Sequence, residues 1–520
     1  MNILLVAINA KFIHSSLAVL NLRGSLKPEL QQHVKIMEFT INQGESLILS
    51  EIYHAKPHAI AFSCYIWNIE LVRALIGNLK KILPHVPIII GGPEITAPEE
   101  GVDIAVVGEG EGPFASIVQG IVNGETLHSI NTSCPHLPLE DIPFAYPQGF
   151  DAFTNRILYY ETSRGCANKC GYCLSSATEG VRFLPLARVE SDLARFLCAG
   201  VKQVKFVDRT FNCAAAHAMA IWAYLIKHDN GFTNFHFEIA GEFLTDEAFE
   251  LLATARQGLF QFEMGVQTTN AQTLQSINRA TNTTQLLENA RRVMSLGNIH
   301  LHLDLIVGLP YEGYESFSQS FNDVFLCYPH KLQVGFLKVL KGSQLHGQAA
   351  LHGIKYSSRA PYQVLETKYI KYAQVDMIHN IEHMVETFYN ACGFFSSIRY
   401  LVQCFSTPFN FFEKLAVHWH ACSNHLVSHK KAALYTFLHD FAQTYLPCHL
   451  TQLCELLKYD MLQTENVRLF PAWISAYYTP NNKQITRNSA QHSFLYDVVA
   501  YKNAPQLPLK KQDTVVQFEY

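Results

Sequence analysis

Three cysteines, Cys166, Cys170 and Cys173, stand at C-x3-C-x2-C spacing directly after the apolar run Ile157–Ser163. Thiolates so spaced can hold three corners of a [4Fe–4S] cube and leave the fourth iron without a protein ligand. An electron-transfer protein would usually close that corner with a fourth cysteine, so an open iron is a place to bind and activate a small molecule. A structural zinc ion or three unrelated buried thiols are the alternatives, but zinc wants four ligands, usually in paired C-x2-C knuckles, and no second knuckle stands nearby. Further along, polar groups recur at the ends of apolar runs: Asp208-Arg-Thr-Phe-Asn212, Glu238, Gly241-Glu242, Gly265-Val-Gln267, Arg279 and Asp304. Such acidic and amide groups supply acceptors, and an arginine can pair with a ligand carboxylate.

The elements that must position these groups follow from hydropathy rhythm. Residues 155–340 alternate strand and helix patterns, with six strand candidates: Ile157–Ser163, Gln203–Asp208, Phe235–Ala240, Gln261–Val266, His300–Val307 and Leu332–Leu340. Helical patterns such as Val189–Cys198 and Thr283–Ser295 separate them. Parallel strands with right-handed crossovers would form a partial (β/α)6 barrel. Its active site belongs at the carboxyl ends of the strands, where the cysteine loop also falls.

Residues 1–130 show the same rhythm in a separate block, with candidate strands Asn2–Ile8, Val34–Thr40, Ala59–Ser63, Val86–Ile90 and Asp103–Val107. This predicts an α/β doubly wound parallel sheet, with ligands in the crevice beyond the strand ends. The residues there are Asn9, Lys11, Cys64-Tyr65-Ile66-Trp67, Gly91-Gly92-Pro93-Glu94 and Gly108-Glu109-Gly110-Glu111. Glycines there either let a bulky ligand approach the backbone or simply make turns. No G-x-G-x-x-G opens a helix after the first strand, which counts against a dinucleotide.

Residues 131–151, with Pro135, Pro138, Pro143 and Pro147, read as an ordered linker. The barrel is assigned to 152–340, and 341–520 reads as a mainly helical, substrate-shaping domain that ends in mixed short elements. Its Tyr372, Tyr389, Trp419 and Trp473 could stack on a planar substrate, though aromatics in helical patterns are more often core.

Across the chain's 520 residues, 48% apolar and 16% charged content describes an ordered globule of several domains. A net charge of −4 offers no basic field, so no nucleic-acid partner is expected. No apolar stretch is long enough to span a bilayer, and the opening Asn2–Ile8 lacks the basic flank of a signal peptide. Thirteen cysteines without a secretion signal predict a reducing, cytoplasmic location. Ten lie outside the motif and read mostly as buried small hydrophobes; Cys448 and Cys454 are not taken as metal ligands.

The cysteine spacing, with Arg164-Gly165 before it and Tyr172 ahead of the last cysteine, resembles the radical S-adenosylmethionine (radical SAM) signature. The resemblance implies that Cys166, Cys170 and Cys173 hold the cluster. It further implies that the open iron chelates SAM and that one electron cleaves SAM to a 5′-deoxyadenosyl radical. An external reductant of flavodoxin or ferredoxin type would supply that electron. The run from Glu263 through Gly-Val-Gln267 and Asn278-Arg279 to Asp304-Leu-Ile-Val-Gly-Leu-Pro310 resembles oxygen-independent coproporphyrinogen oxidase and its relatives. By that likeness Gln267, Arg279, Asp304 and the strand-end Glu238 belong to a SAM pocket. The glycine-rich turn usual after the second strand of that family is missing. Asp208-Arg209-Thr210 stands there, and Asp208 or Thr210 is expected to take the SAM amino group instead.

Gly91-Gly92-Pro93-Glu94 and Val107-Gly-Glu-Gly-Glu111 resemble the cobalamin-binding domain of one large radical SAM class. Asn9-Ala-Lys-Phe-Ile-His14 and the helical C-terminal region resemble an uncharacterised branch of that class. The likeness implies cobalamin held near Asn9, Tyr65, Gly91, Gly92, Pro93, Glu94, Gly108 and Glu109. The D-x-H-x-x-G motif that often supplies a cobalt ligand is absent, so the dimethylbenzimidazole tail is expected to be displaced with no such histidine beneath cobalt. His14, His54 and His58 are read as packing or surface residues.

The function implied is methylation of an unactivated carbon by a cobalamin-dependent radical SAM enzyme, on a small-molecule or peptide substrate. Ring rearrangement without methyl transfer and a non-catalytic corrinoid or iron–sulfur sensor remain alternatives. A methylthiotransferase needs three more N-terminal cysteines, and only Cys64 and Cys134 precede the motif.

Overall fold

Seven consecutive apolar or small residues, Ile3-Leu-Leu-Val-Ala-Ile-Asn9, form strand β1 (Ile3–Asn9), buried along its whole length. A strand buried on both faces cannot show polar alternation, and this one feeds two cores. Leu4, Val6 and Ile8 pack into one, Ile3, Leu5 and Ala7 into the other. Each leucine, isoleucine or valine so withdrawn from water contributes about 1.5–3 kcal/mol. Around it stand β2 (Val34–Thr40), β3 (Ala59–Ser63), β4 (Ile88–Gly91) and β5 (Ile104–Val106) in the all-parallel order β2-β1-β3-β4-β5. The order reverses beside β1, so a crevice opens at the carboxyl ends of β1 and β3.

The computed structural model describes residues 1–125, 137–146, 149–177, 180–391, 393–427, 429–467, 470–475, 489–505 and 507–520. Parts of the expected linker, including Cys134, Pro135 and Pro147, lie outside them, as do Asn481 and Asn482. Of the linker's described part, Tyr146 is buried and its hydroxyl donates to the Tyr159 carbonyl at 2.9 Å.

The second sheet runs in parallel order through β6 (Leu158–Tyr160), β9 (Gln203–Phe206), β10 (Asn234–Ile239), β11 (Phe260–Gln267) and β12 (His300–Val307). The expected single strand Ile157–Ser163 is in fact two. After β6 the chain turns, and β7 (Ser163–Gly165) pairs antiparallel with β8 (Val181–Phe183), bracketing the cysteine loop. The buried Asp208 carboxylate accepts from Thr162 N at 3.0 Å, Thr162 Oγ1 at 2.6 Å and Ser163 Oγ at 2.5 Å, which holds the turn. The sixth expected strand forms as β13 (Lys331–Phe336).

Strand β11 shows why the sheet has a wet and a dry face. Phe260, Phe262, Met264 and Val266 are wholly buried, while Gln261, Glu263, Gly265 and Gln267 alternate with them on the other side. Helix Leu186–Ala199 buries Val189, Leu193, Phe196 and Leu197 at helical spacing, and Gly200 ends it at φ +60°. Helix Thr283–Leu296 begins where Asn282 accepts from Gln285 N.

By contacts the chain divides into two compact units: Met1–Glu312 with Phe336–Tyr369, and Gly313–Gly335 with Ile370–Tyr520. The second unit is helical from Tyr372 to Thr464, then carries the antiparallel pair Ser489–Tyr496 and Lys511–Glu519. In it Trp419 is core, Tyr389 is half-buried, Tyr372 is exposed, and Trp473 stacks on His439. The expectation that most cysteines outside the motif are buried needs correction: among the described residues Cys64, Cys327 and Cys454 are buried, Cys213 and Cys404 half-buried, and Cys198, Cys422 and Cys448 exposed. No helix among the described residues is long and apolar enough to cross a membrane.

Candidate functional site

The carboxyl ends of the second sheet gather a cavity of about 160 Å³ lined by Cys166, Cys170 and Cys173 together with Glu238, Gln267, Arg279 and Asp304. Residues up to 138 positions apart in sequence thus share one wall, as parallel strands place equivalent loops at one end. All three thiols are free; Cys166 and Cys170 are buried. The loop between them is pinned by Gly171 N donating to Ile277 O at 2.8 Å and Asn278 Nδ2 donating to Lys169 O at 3.0 Å. Arg279 Nη1 stands 3.5 Å from Cys170 Sγ, and Cys166 Sγ stands 3.5 Å from Thr210 Oγ1.

Several lining groups turn buried polar atoms toward the cavity. Gln267 Oε1, Arg279 Nε and Asp304 Oδ1 are buried with no hydrogen-bond partner. Buried polar atoms are rarely left so, and here they converge on one polar cavity. Gln267 sits at φ +70°, next to a register shift between Gly265 and Gln267. A Cβ on Gly265 would lie 2.1 Å from Gln267 Nε2, so only glycine leaves that amide room. These donors and acceptors fit the amino-acid portion of SAM, and the three thiols fit a three-ligand cluster.

Beneath the cavity the inward faces of β9 to β12 carry a polar row. Lys205 Nζ lies 3.1 Å from Glu263 Oε2 and 3.4 Å from Glu238 Oε1, and His236 Nε2 lies 3.0 Å from Glu263 Oε2. Burial alone would raise the Glu263 pKa, but the His236 hydrogen bond and the Lys205 charge outweigh it and hold the carboxyl well below its usual range. Asp304 is pushed the other way, well up, by burial and by the neighbouring Glu263 and Glu238 charges. His236, Glu263 and His302 lie close enough to suggest a metal site, but Lys205 already supplies the cation to Glu263. Period-2 alternation on the strands could have found this row; sequence reasoning passed over Lys205, His236 and His302.

The sequence-predicted residues divide. Glu238, Gln267, Arg279 and Asp304 line the cavity, and so do Arg209 and Thr210. Asp208 does not: it is buried behind the loop, its oxygens spent on Thr162 and Ser163, and burial, partly offset by those bonds, pushes its pKa up to about 6. Thr210 is the member of that turn beside a cysteine.

At the first sheet, Asn9, Tyr65, Gly91 and Gly92 all lie at strand carboxyl ends. Tyr65 stacks on Trp67 with ring centroids 4.3 Å apart, and Asn9 Nδ2 donates to His14 O and Glu38 Oε1. Gly108, at φ +90°, has open space where a Cβ would stand, a place where a bulky ligand can meet the backbone. Gly92 differs: at φ +117° its Cβ would fall 2.4 Å from Cys64 O, so close packing of backbone explains it. Pro93 is exposed. Glu94 is buried and accepts from Tyr362 Oη at 3.0 Å, and Glu109 is held by Arg164 and Arg182. Those two carboxylates are therefore not free to meet a ligand. His14 Nδ1 lies 2.7 Å from Tyr159 Oη, while His54 and His58 are at the surface. The open crevice, the aromatic pair and Gly108 fit a large planar cofactor such as cobalamin.

Comparison with known proteins gives three adjoining matches. The family model "B12 binding domain" matches residues 3–118, "Radical SAM superfamily" matches 160–324, and "Protein of unknown function (DUF4080)" matches 350–520. The chain is 24% identical over 335 residues to the cobalamin-dependent radical SAM methyltransferase TokK of Streptomyces tokunonensis, covering 56% of this chain and 48% of that protein. It is 25% identical over 310 residues to 2-(S-pantetheinyl)-carbapenam-3-carboxylate methyltransferase of Streptantibioticus cattleyicolor, covering 50% and 44%. The chain thus spans about half the length of the curated relatives it matches. The solved structure of the cobalamin-dependent SAM radical enzyme OxsB with aqua-cobalamin bound shares the fold, with TM-score 0.59, 14% identity, and coverage of 88% of this chain and 79% of that one.

Proposed function

The chain belongs to the cobalamin-binding radical SAM proteins, and from that premise we propose that it methylates an unactivated carbon of a small-molecule or peptide substrate. The observation that carries the reading is the single cavity that joins Cys166, Cys170 and Cys173 to the unpartnered polar atoms of Gln267, Arg279 and Asp304. When bound, the cluster supplies an electron to SAM and cobalamin supplies the methyl group.

The residues supply binding and orientation. Arg279 places a guanidinium where it can pair with the SAM carboxylate while its Nη1 faces Cys170. Gln267 and Glu238 offer amide and carboxylate groups to the rest of the ligand. Asp304 turns a carboxyl into the cavity beside Glu238 and Glu263, its pKa raised by burial and by those neighbouring charges. Asn9, Tyr65 and Gly108 hold cobalamin, with Gly91 and Gly92 shaping the adjoining loop. A one-electron reductant of flavodoxin or ferredoxin type completes the system, in the cytoplasm. The division into 1–130, 131–151, 152–340 and 341–520 belongs to the same proposal, and the matched ranges support it.

The test is metal content after anaerobic reconstitution, incubation with hydroxocobalamin and desalting, followed by turnover with methyl-labelled SAM. About four irons and one cobalt per chain are expected, with 5′-deoxyadenosine formed under reducing conditions. Irons without retained cobalt would sink the methyl-transfer reading and leave a radical SAM enzyme. An intact cluster that forms no 5′-deoxyadenosine would point to a sensor.

A further inference from the structure

Arg164, two residues upstream of Cys166, gathers three carboxylates from two distant parts of the chain. Nη1 donates to Glu109 Oε2 at 2.9 Å and Nη2 to Glu111 Oε1 at 2.9 Å. Nε and Nη2 donate to the two oxygens of Glu161 at 3.1 and 2.8 Å. Glu109 also accepts from Arg182, which stands opposite Arg164 in the β7–β8 ribbon. The side chains of Arg164, Glu109, Glu111 and Glu161 are only 18, 20, 9 and 17% exposed, so the pairs are weakly screened by water.

The two loops joined here are the ones assigned to the two cofactors. Glu109 and Glu111 flank Gly110 in the turn that follows Gly108 and opens helix Glu111–Asn123. Arg164 leads into the cysteine loop through Gly165, at φ +112°, where a Cβ would fall 2.3 Å from Gly180 O. The link from guanidinium to Cys166 therefore has little slack. Charge gives the contact its direction. Without Arg164, Glu109 and Glu111 lose the cation that ties their turn to Glu161 and the cysteine loop.

We propose that Arg164 is a positioning residue that couples the two cofactor loops, so that loading the cluster raises affinity for cobalamin and cobalamin raises retention of the cluster. The inference rests on the two-cofactor reading above. Fixing Cys166 on an iron fixes Arg164, which fixes the Glu109–Glu111 turn beside Gly108, and linkage makes the effect reciprocal.

The experiment is the dissociation constant of hydroxocobalamin, read from visible absorbance, for the full chain with its cluster reconstituted and with the cluster removed by a chelator. Cluster loading is expected to tighten binding at least about five-fold. In Arg164→Gln the ratio should fall to about one while binding to the cluster-free chain changes little, which a purely structural role would not produce. Equal affinities in the wild type overturn the coupling and leave the two-cofactor reading standing. No cobalamin binding in either form overturns both. A ratio that persists in Arg164→Gln overturns the role of Arg164. If that variant does not fold, Glu111→Gln removes one cross-loop contact and should shrink the ratio; an unchanged ratio there overturns the proposal equally.

Discussion

Arg279 Nη1 stands 3.5 Å from Cys170 Sγ while its Nε, buried, has no acceptor. One guanidinium thus serves the cluster loop and faces the cavity with a donor to spare. Arg279→Met should leave iron content per chain close to wild type and weaken SAM binding about 10- to 150-fold, the loss of about 1.5–3 kcal/mol expected for a charge-assisted contact. Iron analysis beside calorimetric titration with SAM separates the two effects; equal SAM affinity would remove Arg279 from the pocket.

Gly265→Ala places a methyl 2.1 Å from the native position of Gln267 Nε2. The amide must move, so SAM affinity should fall at least about ten-fold, with a stability loss of about 1–3 kcal/mol from overpacking. Thermal melts and SAM titration of the same preparation check both halves.

At Gly92 the expected loss is independent of any cofactor. Gly92→Ala meets Cys64 O at 2.4 Å from a backbone already at φ +117°. The melting temperature should drop whether or not hydroxocobalamin is present. Gly108→Ala, with open space at its Cβ, should cost only the strain of its φ, about 1–2 kcal/mol, and should weaken cobalamin binding. A larger stability loss at Gly108 than at Gly92 would contradict these assignments.

Asp208 carries a pH signature. Burial raises its folded pKa from 3.8 to about 6, so between those values the folded chain binds the proton that the unfolded chain has released. Its contribution to stability is whole below about pH 4 and is lost as pH rises through about 6. Urea midpoints measured from pH 4 to 7 should show that falling component, and Asp208→Asn should lack it.

Much of the architecture was legible because it rests on local signals. Strands β2, β3 and β12 fall where hydropathy places them, and the others shift by a few residues at their ends, because an apolar run bounded by turn residues has one way to bury itself. The split of Ile157–Ser163 was not legible: it depends on Asp208 capturing Thr162 and Ser163 from 46 and 45 residues away.

What the chain determined by itself is the chemistry on offer: three thiols at cluster spacing, and Glu238, Gln267, Arg279 and Asp304 at strand ends that parallel topology brings to one rim. What only the tertiary structure decided is which polar groups are free to use it. Asp208 is spent on a turn, Glu94 on Tyr362, Glu109 on two arginines, and Lys205 takes the cation position beside His236 and Glu263. The reason is physical. Spacing along a chain reports neighbours a few residues apart, whereas a buried charge is settled by whichever partner folding brings within about 3 Å, however distant in sequence.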